Sequence, residues 1–185
     1  MSEERHFFIA DTHFGDDPVR RGLRKEFKSD EEHNELIHKN ILSVASTQRT
    51  LWILGDSFTK VREFWRLEEY RLVFQQVNIC LGNHCHSSLP RYALQFKNVN
   101  VFGSIKRFGL WLSHVPVPNY ELYRGNNICG HRHTRGIKRT DIISDLEGAM
   151  HEETREDLRY FCVSCENINY TPISLGEINK IREWE

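Results

Sequence analysis

Side chains with metal-binding donor atoms follow five apolar segments of the chain, each at the point where a strand-like pattern ends. They are Asp11, His13, Asp56, Asn83, His84, His114, His131 and His133. Any one of them alone is typical of a polar turn after a strand, but their coincidence at five strand ends indicates a site. Mixed carboxylate, imidazole and amide donors suit borderline divalent ions such as Mn²⁺, Fe²⁺ or Zn²⁺. The set is too large for one tetrahedral ion and fits two ions that share a bridging carboxylate.

The segments that deliver these side chains predict a parallel sheet in the first half of the chain. Buried strand patterns run over 6–11, 50–56 and 77–82, and helical patterns over 29–45 and 61–76 lie between them. This β-α-β-α-β order favours parallel pairing with helices that cover the sheet. Ligands of open α/β sheets collect beyond the carboxyl ends of the strands, so we expect the donors to meet in one region.

The second half of the chain is richer in strands. Its segments alternate short strands with tight turns. In the first half, by contrast, the first predicted helix begins with Ser29 and Glu32 in the spacing of a capping box. The strand segments are 98–103, 105–108, 110–115, 126–131 and 159–165. An α/β half followed by a β-rich half predicts two sheets packed face to face with helices outside, in one domain spanning 1–185.

Composition excludes several classes of protein. Of 185 residues, 28% are charged and 39% hydrophobic, and the net charge is −1, which predicts a globular protein with no overall attraction to nucleic acid. No apolar run approaches the ~20 residues of a membrane helix, and the N-terminal segment enters a strand pattern directly, without a signal-peptide pattern. Five cysteines, an odd number, fit a reducing cytoplasm. Cys162 and Cys165 lie in a strand pattern without a matching second pair, so we do not expect a zinc knuckle.

The ordered blocks "DTH", "GD", "GNH", "SH" and "GHRH" resemble the calcineurin-like metallophosphoesterase superfamily, in its small single-domain bacterial and phage type. "DTHFGD" is similar to the opening motif of that subgroup and residues 167–178 to its closing segment, so the resemblance spans nearly the whole chain. It implies an α/β fold, a four-layer sandwich of two mixed β-sheets flanked by α-helices, with two metals between the strand ends.

The resemblance also implies roles for individual residues. One metal would be held by Asp11, His13, Asp56 and His133, and the other by Asp56, Asn83, His114 and His131. The implied cofactors are two divalent ions, Mn²⁺ first, with Fe, Zn or Ni as alternatives. The implied reaction is hydrolysis of phosphodiesters in preference to phosphomonoesters, by a hydroxide that bridges the metals, with His84 as the general acid. The expected partner is a small phosphoester or nucleotide, and no membrane.

The sequence departs from the family pattern in two places. Cys85 follows "GNH" where family members carry Asp or Glu, which removes the expected carboxylate partner of His84; His86 is either its replacement or a surface turn residue. Residues 134–159 form a longer, densely charged segment, for which a flap over the site, a solvated loop and a partner-binding surface all remain open.

Other polar residues have weaker assignments. In the basic loop 19–25, Arg20, Arg21, Arg24 or Lys25 could reach a substrate phosphate, and we choose Arg21. We read three further histidines as surface residues: His33, His38 and His151. Two other functions stay open, a nuclease acting on nucleic-acid ends, which would need a basic or aromatic groove, and a non-catalytic scaffold, although scaffolds of this family tend to lose the "GNH" histidine that this chain keeps.

Overall fold

The structure is a computed structural model that describes residues 3–144 and 150–184. Within them the strands are β1 (His6–Ile9), β2 (Thr50–Leu54), β3 (Gln76–Cys80), β4 (Val99–Phe102), β5 (Ser104–Arg107), β6 (Leu110–Ser113), β7 (Asn127–Cys129), β8 (Lys138–Ser144), β9 (Met150–Glu156), β10 (Tyr160–Cys162) and β11 (Ile173–Ser174). The helices are α1 (Asp17–Leu23), α2 (Asp30–Ser43), α3 (Trp65–Val73), α4 (Leu89–Ala93) and α5 (Leu175–Arg182). The described chain is therefore mixed α/β, as the sequence predicts.

The strands form two mixed sheets and a separate ribbon. The first sheet has the order β11-β1-β2-β3-β4, in which β1 to β4 are parallel and β11 is antiparallel to β1. The 98–103 segment, which the sequence analysis grouped with the second half, therefore continues the sheet of the first half as β4. The second sheet has the order β10-β7-β6-β5, in which only the β5–β6 pair is antiparallel among the described strands. Strands β8 and β9 pair with each other as an antiparallel ribbon. The sheets place the ends of β1, β2, β3, β6 and β7 directly before the predicted donors.

One hydrophobic core joins the two sheets. Phe8 and Ile53 from the first sheet and Leu112 and Ile128 from the second are fully buried in the same cluster. Strands β1 and β2 are buried at every position, as in parallel strands that are covered on both faces. The predicted apolar face of α3 and its flanks is buried in this core too, through Phe64, Leu67, Tyr70 and Phe74.

The two sheets meet where their strands deliver the donors. Just past β1, the Ala10 amide donates to the Val163 carbonyl over 2.8 Å, and the Cys165 amide donates to the Ala10 carbonyl over 3.1 Å. The Gly130 amide donates to the His114 carbonyl over 2.9 Å and ties the ends of β6 and β7 together. These bonds bring strand ends from both sheets to a common edge, as expected from the sequence.

The helices differ from the sequence prediction at their ends. Helix α2 begins at the predicted cap, where the Ser29 hydroxyl accepts the Glu32 amide over 3.1 Å. The Glu32 carboxylate accepts the amide of Lys28 over 2.7 Å instead of that of Ser29, so only half of the capping box forms. The predicted 61–76 helix is shorter, because its first turn, Val61–Glu63, is a 3-10 helix. Helix α5 is capped by the reciprocal bonds of a capping box, a signal that the sequence analysis did not use.

Three sequence-based assignments are wrong. The loop predicted before residue 29 contains α1, which has proline in its first turn and internal ion pairs that favour a helix. His33 and His38 are 2% and 6% exposed rather than on the surface. They lie on the inner face of α2, where Asn34 and Tyr70 are within hydrogen-bond distance of their rings. His151 is exposed, as predicted.

The charged 134–159 segment is largely the β8–β9 ribbon. Every residue of β9 is exposed, and Asp141 on β8 forms ion pairs with Arg139 and Arg155 at 3.1 and 2.8 Å. A solvated loop is therefore the wrong description of its described residues; residues 145–149 lie outside the described range.

None of the helices in the described ranges is long and apolar enough to cross a membrane.

Candidate metal centre

Among the residues that the structure describes, three groups of side chains bring potential metal-binding atoms within 4.8 Å of one another. They are Asp11, His13 and His133; Asp56, His114 and His131; and His13, Asp16 and His84. We call Asp11, His13 and His133 the His13 group, and Asp56, His114 and His131 together with Asn83 the His114 group. The first two sets lie within the ligand sets that the sequence predicts for the two metals. The third adds a carboxylate, Asp16, to which the sequence analysis gave no role.

The His114 group converges on one ring nitrogen. His114 Nε2 lies 3.2 Å from Asp56 Oδ2, 3.1 Å from Asn83 Oδ1 and 3.3 Å from His131 Nδ1. The other nitrogen of His114 lies 3.0 Å from the Leu54 carbonyl, which can only accept, so Nδ1 carries the proton in the neutral ring. In that tautomer the lone pair of Nε2 points among the other three donors, which is the arrangement that a metal requires.

The His13 group lies on the other side of Asp56. His13 Nε2 is 3.8 Å from Asp56 Oδ2, is buried, and has no hydrogen-bond partner among the described residues. The rings of His13 and His133 stack with centroids 5.4 Å apart. A buried nitrogen without a partner is costly, and a metal would satisfy it. Asp56 thus faces both groups, as a bridging carboxylate must.

Backbone strain concentrates at these residues. Nine non-glycine residues of the described chain have a positive φ, a conformation that only a few per cent of such residues adopt. Five of the nine are predicted ligands: Asp11, His13, Asp56, His131 and His133, with φ between 44° and 68°. Each such residue costs on the order of 1–3 kcal/mol unless the surroundings impose it. The fold therefore holds these side chains against a conformational preference.

The glycines of "GD" and "GNH" make room for the ligands. A Cβ atom on Gly55, whose φ is +90°, would lie 2.2 Å from His114 Nδ1. A Cβ atom on Gly82 would lie 2.2 Å from Asp56 Oδ1 and 2.3 Å from the Asp56 backbone nitrogen. Any side chain at Gly55 or Gly82 would collide with these atoms. Glycine therefore allows the ligands to pack directly against the backbone.

Carboxylates fix the rings of the His13 group. Asp16 Oδ2 lies 3.0 Å from His13 Nδ1, and Glu166 Oε1 lies 2.9 Å from His133 Nδ1. A ring that donates Nδ1–H to a carboxylate presents Nε2 as a ligand and becomes a stronger base. The sequence analysis missed both carboxylates. Asp16 stands in the quoted "DTHFGD" block and was within reach, but no pattern marks Glu166.

Charges in the centre couple the ligands before any metal binds. Burial opposes protonation of His114, but the carboxylates of Asp56 and Asp11 raise its pKa above the ordinary value. Burial likewise opposes ionisation of Asp56, but the His114 ring lowers the pKa of that carboxyl below its usual range. Each group thus favours the charged form of the other in the metal-free protein. A metal ion and a proton would compete for His114 Nε2, so metal binding at this ring is linked to pH.

Glu166 is held by a buried arginine from the basic segment 19–25. Arg24 is fully buried, and its Nε donates to Glu166 Oε1 over 2.8 Å. Burial alone would raise the pKa of Glu166, but the His133 ring and the Arg24 guanidinium lower it to about 2. Arg24 also donates to the Asp11 carbonyl, so it supports a ligand strand end and cannot reach substrate, against one of the sequence-based alternatives.

The other arginines of that segment are also paired. Arg20 forms ion pairs with Asp17 and Asp30 at 2.8 and 2.6 Å. Arg21, the residue chosen from the sequence, is 72% exposed and lies 2.6 Å from Asp17. Neither side chain lines the cleft above the ligands, so substrate binding by Arg21 stays a prediction without geometric support.

A cleft of about 260 Å³ opens above the ligands. Asp56, Asn83, His131 and His133 form its base, and His84 is part of its wall. The wall also includes Leu23, Arg132, Thr134 and Arg135. Arg132 lies inside the "GHRH" block and Arg135 lies two residues after it. Only the histidines of this block received a role from the sequence.

His84 lies at the edge of this cleft, between the ligands and solvent. Its side chain is 50% exposed, and its Nδ1 lies 3.5 Å from Asp16 Oδ2. Its backbone amide donates to Asp56 Oδ1 over 2.7 Å, which fixes it to the bridging residue. A carboxylate thus stands near the ring even though Cys85 replaces the acidic residue of the family pattern.

Cys85 itself has a structural position. Its sulfur accepts the Gly82 amide over 3.3 Å and lies 3.7 Å from the Ser57 hydroxyl. His86 is half-buried, and its amide donates to the Phe58 carbonyl over 2.8 Å, so it is a turn residue with packing contacts. The groups of potential metal ligands found among the described residues contain no cysteine.

Comparisons with known proteins give relatives for the chain but no activity. No protein-family model matches it. An uncharacterized protein of Methanocaldococcus jannaschii, MJ1445, is 27% identical over 190 residues, which cover 99% of this chain and 94% of that protein. The crystal structure of AQ665, a protein of unknown function from Aquifex aeolicus, superimposes with a TM-score of 0.66 and 22% identity over 95% of this chain and 98% of that one. The chain therefore shares its fold with a solved structure along nearly its whole length.

Proposed function

We propose that the protein is a binuclear metal-dependent phosphoesterase that hydrolyses phosphodiesters in preference to phosphomonoesters. The observation that carries this proposal is the convergence of two donor groups on one carboxylate, Asp56, at the meeting edge of two sheets. Strained backbone at five ligands and a cleft above them support a site built for chemistry, because strain and clefts of this kind collect at functional sites.

We further infer that the chain is a small single-domain member of the calcineurin-like metallophosphoesterase superfamily. The motif order supports this assignment, and so does the core shared by the two sheets. The finer fold that goes with it is a four-layer sandwich of two mixed sheets flanked by α-helices. The diester preference rests on family likeness alone, so the substrate panel below includes both kinds of ester.

The donor set fits two divalent ions. The His13 group with Asp56 would hold one, and the His114 group would hold the other, with Mn²⁺ as the first expectation and Fe, Zn or Ni as alternatives. Two such ions, when bound, lower the pKa of a water to near neutrality and neutralise charge on the phosphoryl oxygens. Asp56 would contribute a carboxylate to both ions, and the carboxylates behind His13 and His133, Asp16 and Glu166, orient those rings.

His84 is the group that protonates the leaving oxygen in this proposal. It lines the cleft beside Asp56 and Asn83, and solvent can reach its ring to restore the proton. Asp16 Oδ2 lies 3.5 Å from His84 Nδ1 and orients the ring. A proton donor matters most when the leaving group is a poor one, such as an alkoxide.

The test is metal-dependent hydrolysis of phosphoesters. Chelation should abolish hydrolysis of bis(p-nitrophenyl) phosphate, and added Mn²⁺ should restore it in proportion to the metal bound, measured by elemental analysis. A panel of phosphomonoesters, cyclic nucleotides and oligonucleotides then ranks the substrates. Two bound metals with no turnover of any phosphoester would contradict the proposal and favour the scaffold alternative.

A variant of His84 ties the activity to this site. His84→Ala should lower cleavage of an alkyl phosphodiester by ~10²–10⁴-fold, and cleavage of a nitrophenyl ester much less, because nitrophenolate leaves without a proton. His151→Ala is the matched control, since His151 is exposed on β9 and should leave both rates unchanged. Equal losses on both esters would assign His84 to substrate positioning and remove the general acid from the mechanism.

A further inference from the structure

The two sides of His84 carry different charges. On one side the cleft above the ligands contains Arg132 and Arg135 in addition to the predicted metal ligands. A second cleft on the other side is lined by Asp16, Asp17 and Asp30 as well as Lys60 and Arg62. An anion that extends from the metals would meet carboxylates on this second side and arginines on the first.

Arg132 and Arg135 have no carboxylate partner among the described residues, because neither takes part in an ion pair there. This distinguishes them from Arg20, Arg21 and Arg62, which all form ion pairs. The cleft that they share contains the Asp56 carboxylate at its base, but no carboxylate is paired with either arginine there, so both can bind an anionic ligand.

The backbone holds the two arginines in a fixed turn. The Arg132 amide donates to the Gly130 carbonyl and the Arg135 amide to the Arg132 carbonyl, both over 2.8 Å. His133, between them, belongs to the His13 group and has a strained φ of 48°. The backbone of both arginines therefore belongs to the same turn that supplies His131 and His133, so the fold starts both side chains beside the predicted metal ligands.

In the proposed function the metals would bind the scissile phosphate. Arg132 and Arg135 are therefore available to bind a second anionic group. Arg132 also lines a neighbouring depression of about 370 Å³ with Val115, Pro116 and Ile137. An apolar surface beside a guanidinium suits a molecule that carries both a flat or apolar part and a further phosphate. A phosphoester with a single phosphate and a plain alkyl group would leave both features unused.

We propose that the substrate carries a second phosphate besides the scissile one, and that Arg132 and Arg135 bind it at the mouth of the metal cleft. This proposal rests on the proposed function and narrows its substrate class. Guanidinium groups bind phosphate oxygens through paired, charge-assisted hydrogen bonds. The second phosphate could belong to a nucleotide or to a shorter bisphosphate, and the test distinguishes the two.

The test compares matched substrates with one and two phosphates. The pair is thymidine 5′-(p-nitrophenyl phosphate) and the same ester with an added 3′-phosphate; an ethylene-linked analogue with a second phosphate replaces the nucleoside in a parallel arm. Wild-type protein with Mn²⁺ should show a KM about tenfold or more lower for the 3′-phosphorylated ester. In the Arg132→Ala/Arg135→Ala double variant the KM values for the two esters should become equal, whatever the kcat of the variant.

Arg62→Ala is the matched control, because Arg62 lines the carboxylate-containing cleft and should leave the discrimination intact. Equal KM values for the two esters in the wild type, or discrimination kept by the double variant, would overturn the proposal. A preference for the nucleotide over the ethylene analogue would assign the apolar depression to a base, and equal preference would reduce the site to phosphate recognition alone.

A binding measurement separates this proposal from the proposed function. Thymidine 3′,5′-bisphosphate and thymidine 5′-monophosphate are titrated into the Mn²⁺-loaded protein by calorimetry, with no turnover required. Tighter binding of the bisphosphate that depends on the two arginines would support the second-phosphate site even if every ester resisted hydrolysis. Equal affinities for the two nucleotides would overturn it even in an active enzyme.

Discussion

The two halves of the candidate metal centre are built in different ways. In the His114 group the ligands contact one another, since Asn83, Asp56 and His131 lie 3.1–3.3 Å from one nitrogen of His114, and the ring is held by a backbone carbonyl. In the His13 group the ligands are held from behind by side chains, Asp16 and Glu166. One half relies on strand ends and the other on a buried ionic network.

This difference predicts where each half is vulnerable. A backbone carbonyl is not removed by any substitution of side chains, so the His114 group should fail when a ligand is removed or when a side chain is added at Gly55 or Gly82. The His13 group can fail at a distance, because its orientation passes through Glu166 to the buried Arg24. Breaking a buried ion pair leaves an uncompensated charge and is strongly destabilising. The network also includes His33, whose Nε2 accepts from Arg24 over 2.6 Å.

The largest effect is expected where the two halves meet. Asp56→Ala should lower turnover of a phosphodiester by about 10³-fold or more, because it disturbs both metals, and each metal contributes several kcal/mol to the transition state. Both metal equivalents should bind more weakly, while the circular dichroism spectrum stays that of the wild type. The measurements are turnover under limiting Mn²⁺ and metal content after dialysis.

Asp141→Ala provides the comparison for that substitution. Asp141 lies on the exposed ribbon with its ion-pair partners Arg139 and Arg155, so its loss should leave turnover and metal content at wild-type values. Near wild-type turnover of Asp56→Ala at limiting metal would contradict a shared carboxylate, and the two halves would then be independent sites.

A smaller effect, confined to one half, is expected from Glu166→Gln. Glutamine keeps an oxygen for Arg24 and for the His133 Nδ1–H but removes the charge that strengthens the ring as a ligand. Loss of such an outer partner costs about 10–100-fold in metal affinity. Titration with Mn²⁺ should show one tight and one weakened site in the variant, and two tight sites in the wild type if the proposed function is right.

Glu121→Gln is the matched control, since Glu121 pairs only at the surface with Arg124 at 3.8 Å. Thermal unfolding in excess chelator measures any general loss of stability, and the metal titration is interpreted against it. Equal weakening of both metals by Glu166→Gln would mean that the two halves are not mechanically separate, which would reject the contrast drawn between them.

The same contrast explains which parts of the molecule could be predicted from the sequence. The alternation of strand and helix patterns is local, so β1, β2 and β3 and the helices between them follow from periodicity. The ligands of the His114 group follow strand ends and come with glycine, because Gly55 and Gly82 leave no space for a side chain beside the ligands. A glycine next to a ligand in the sequence therefore indicates this close packing.

The ligands of the His13 group also follow strand ends and were predicted with the others, but the side chains that hold them make contacts that spacing does not record. Arg24 and Glu166 are 142 residues apart in the chain, and each looks like an ordinary charged residue in its own segment. The buried positions of His33 and His38 were missed for a related reason, because histidine in a helical pattern does not reveal which neighbour will satisfy it. Long-range pairing of charged side chains therefore needs the fold.

The smallest effect tests this network through pH. Burial, reinforced by the neighbouring Arg24 guanidinium, lowers the pKa of His33 to about 4, whereas an unfolded histidine titrates near 6.5. The folded protein thus favours the neutral ring of His33. The contribution of this neutral ring to the free energy of unfolding is complete above pH 6.5 and is lost as the pH falls toward 4. Between pH 7 and pH 5 this linkage should remove about 2 kcal/mol from the free energy of unfolding.

Urea unfolding of metal-free protein at both pH values measures the loss. His33→Gln keeps an acceptor for Arg24 but cannot take up a proton, so its loss between pH 7 and pH 5 should be smaller than that of the wild type by this amount, whatever its stability at pH 7. His151→Gln, on the exposed strand β9, should keep the wild-type slope. A wild-type slope in His33→Gln would mean that acid acts elsewhere, because the only proton uptake removed by this substitution is that of the ring beside Arg24.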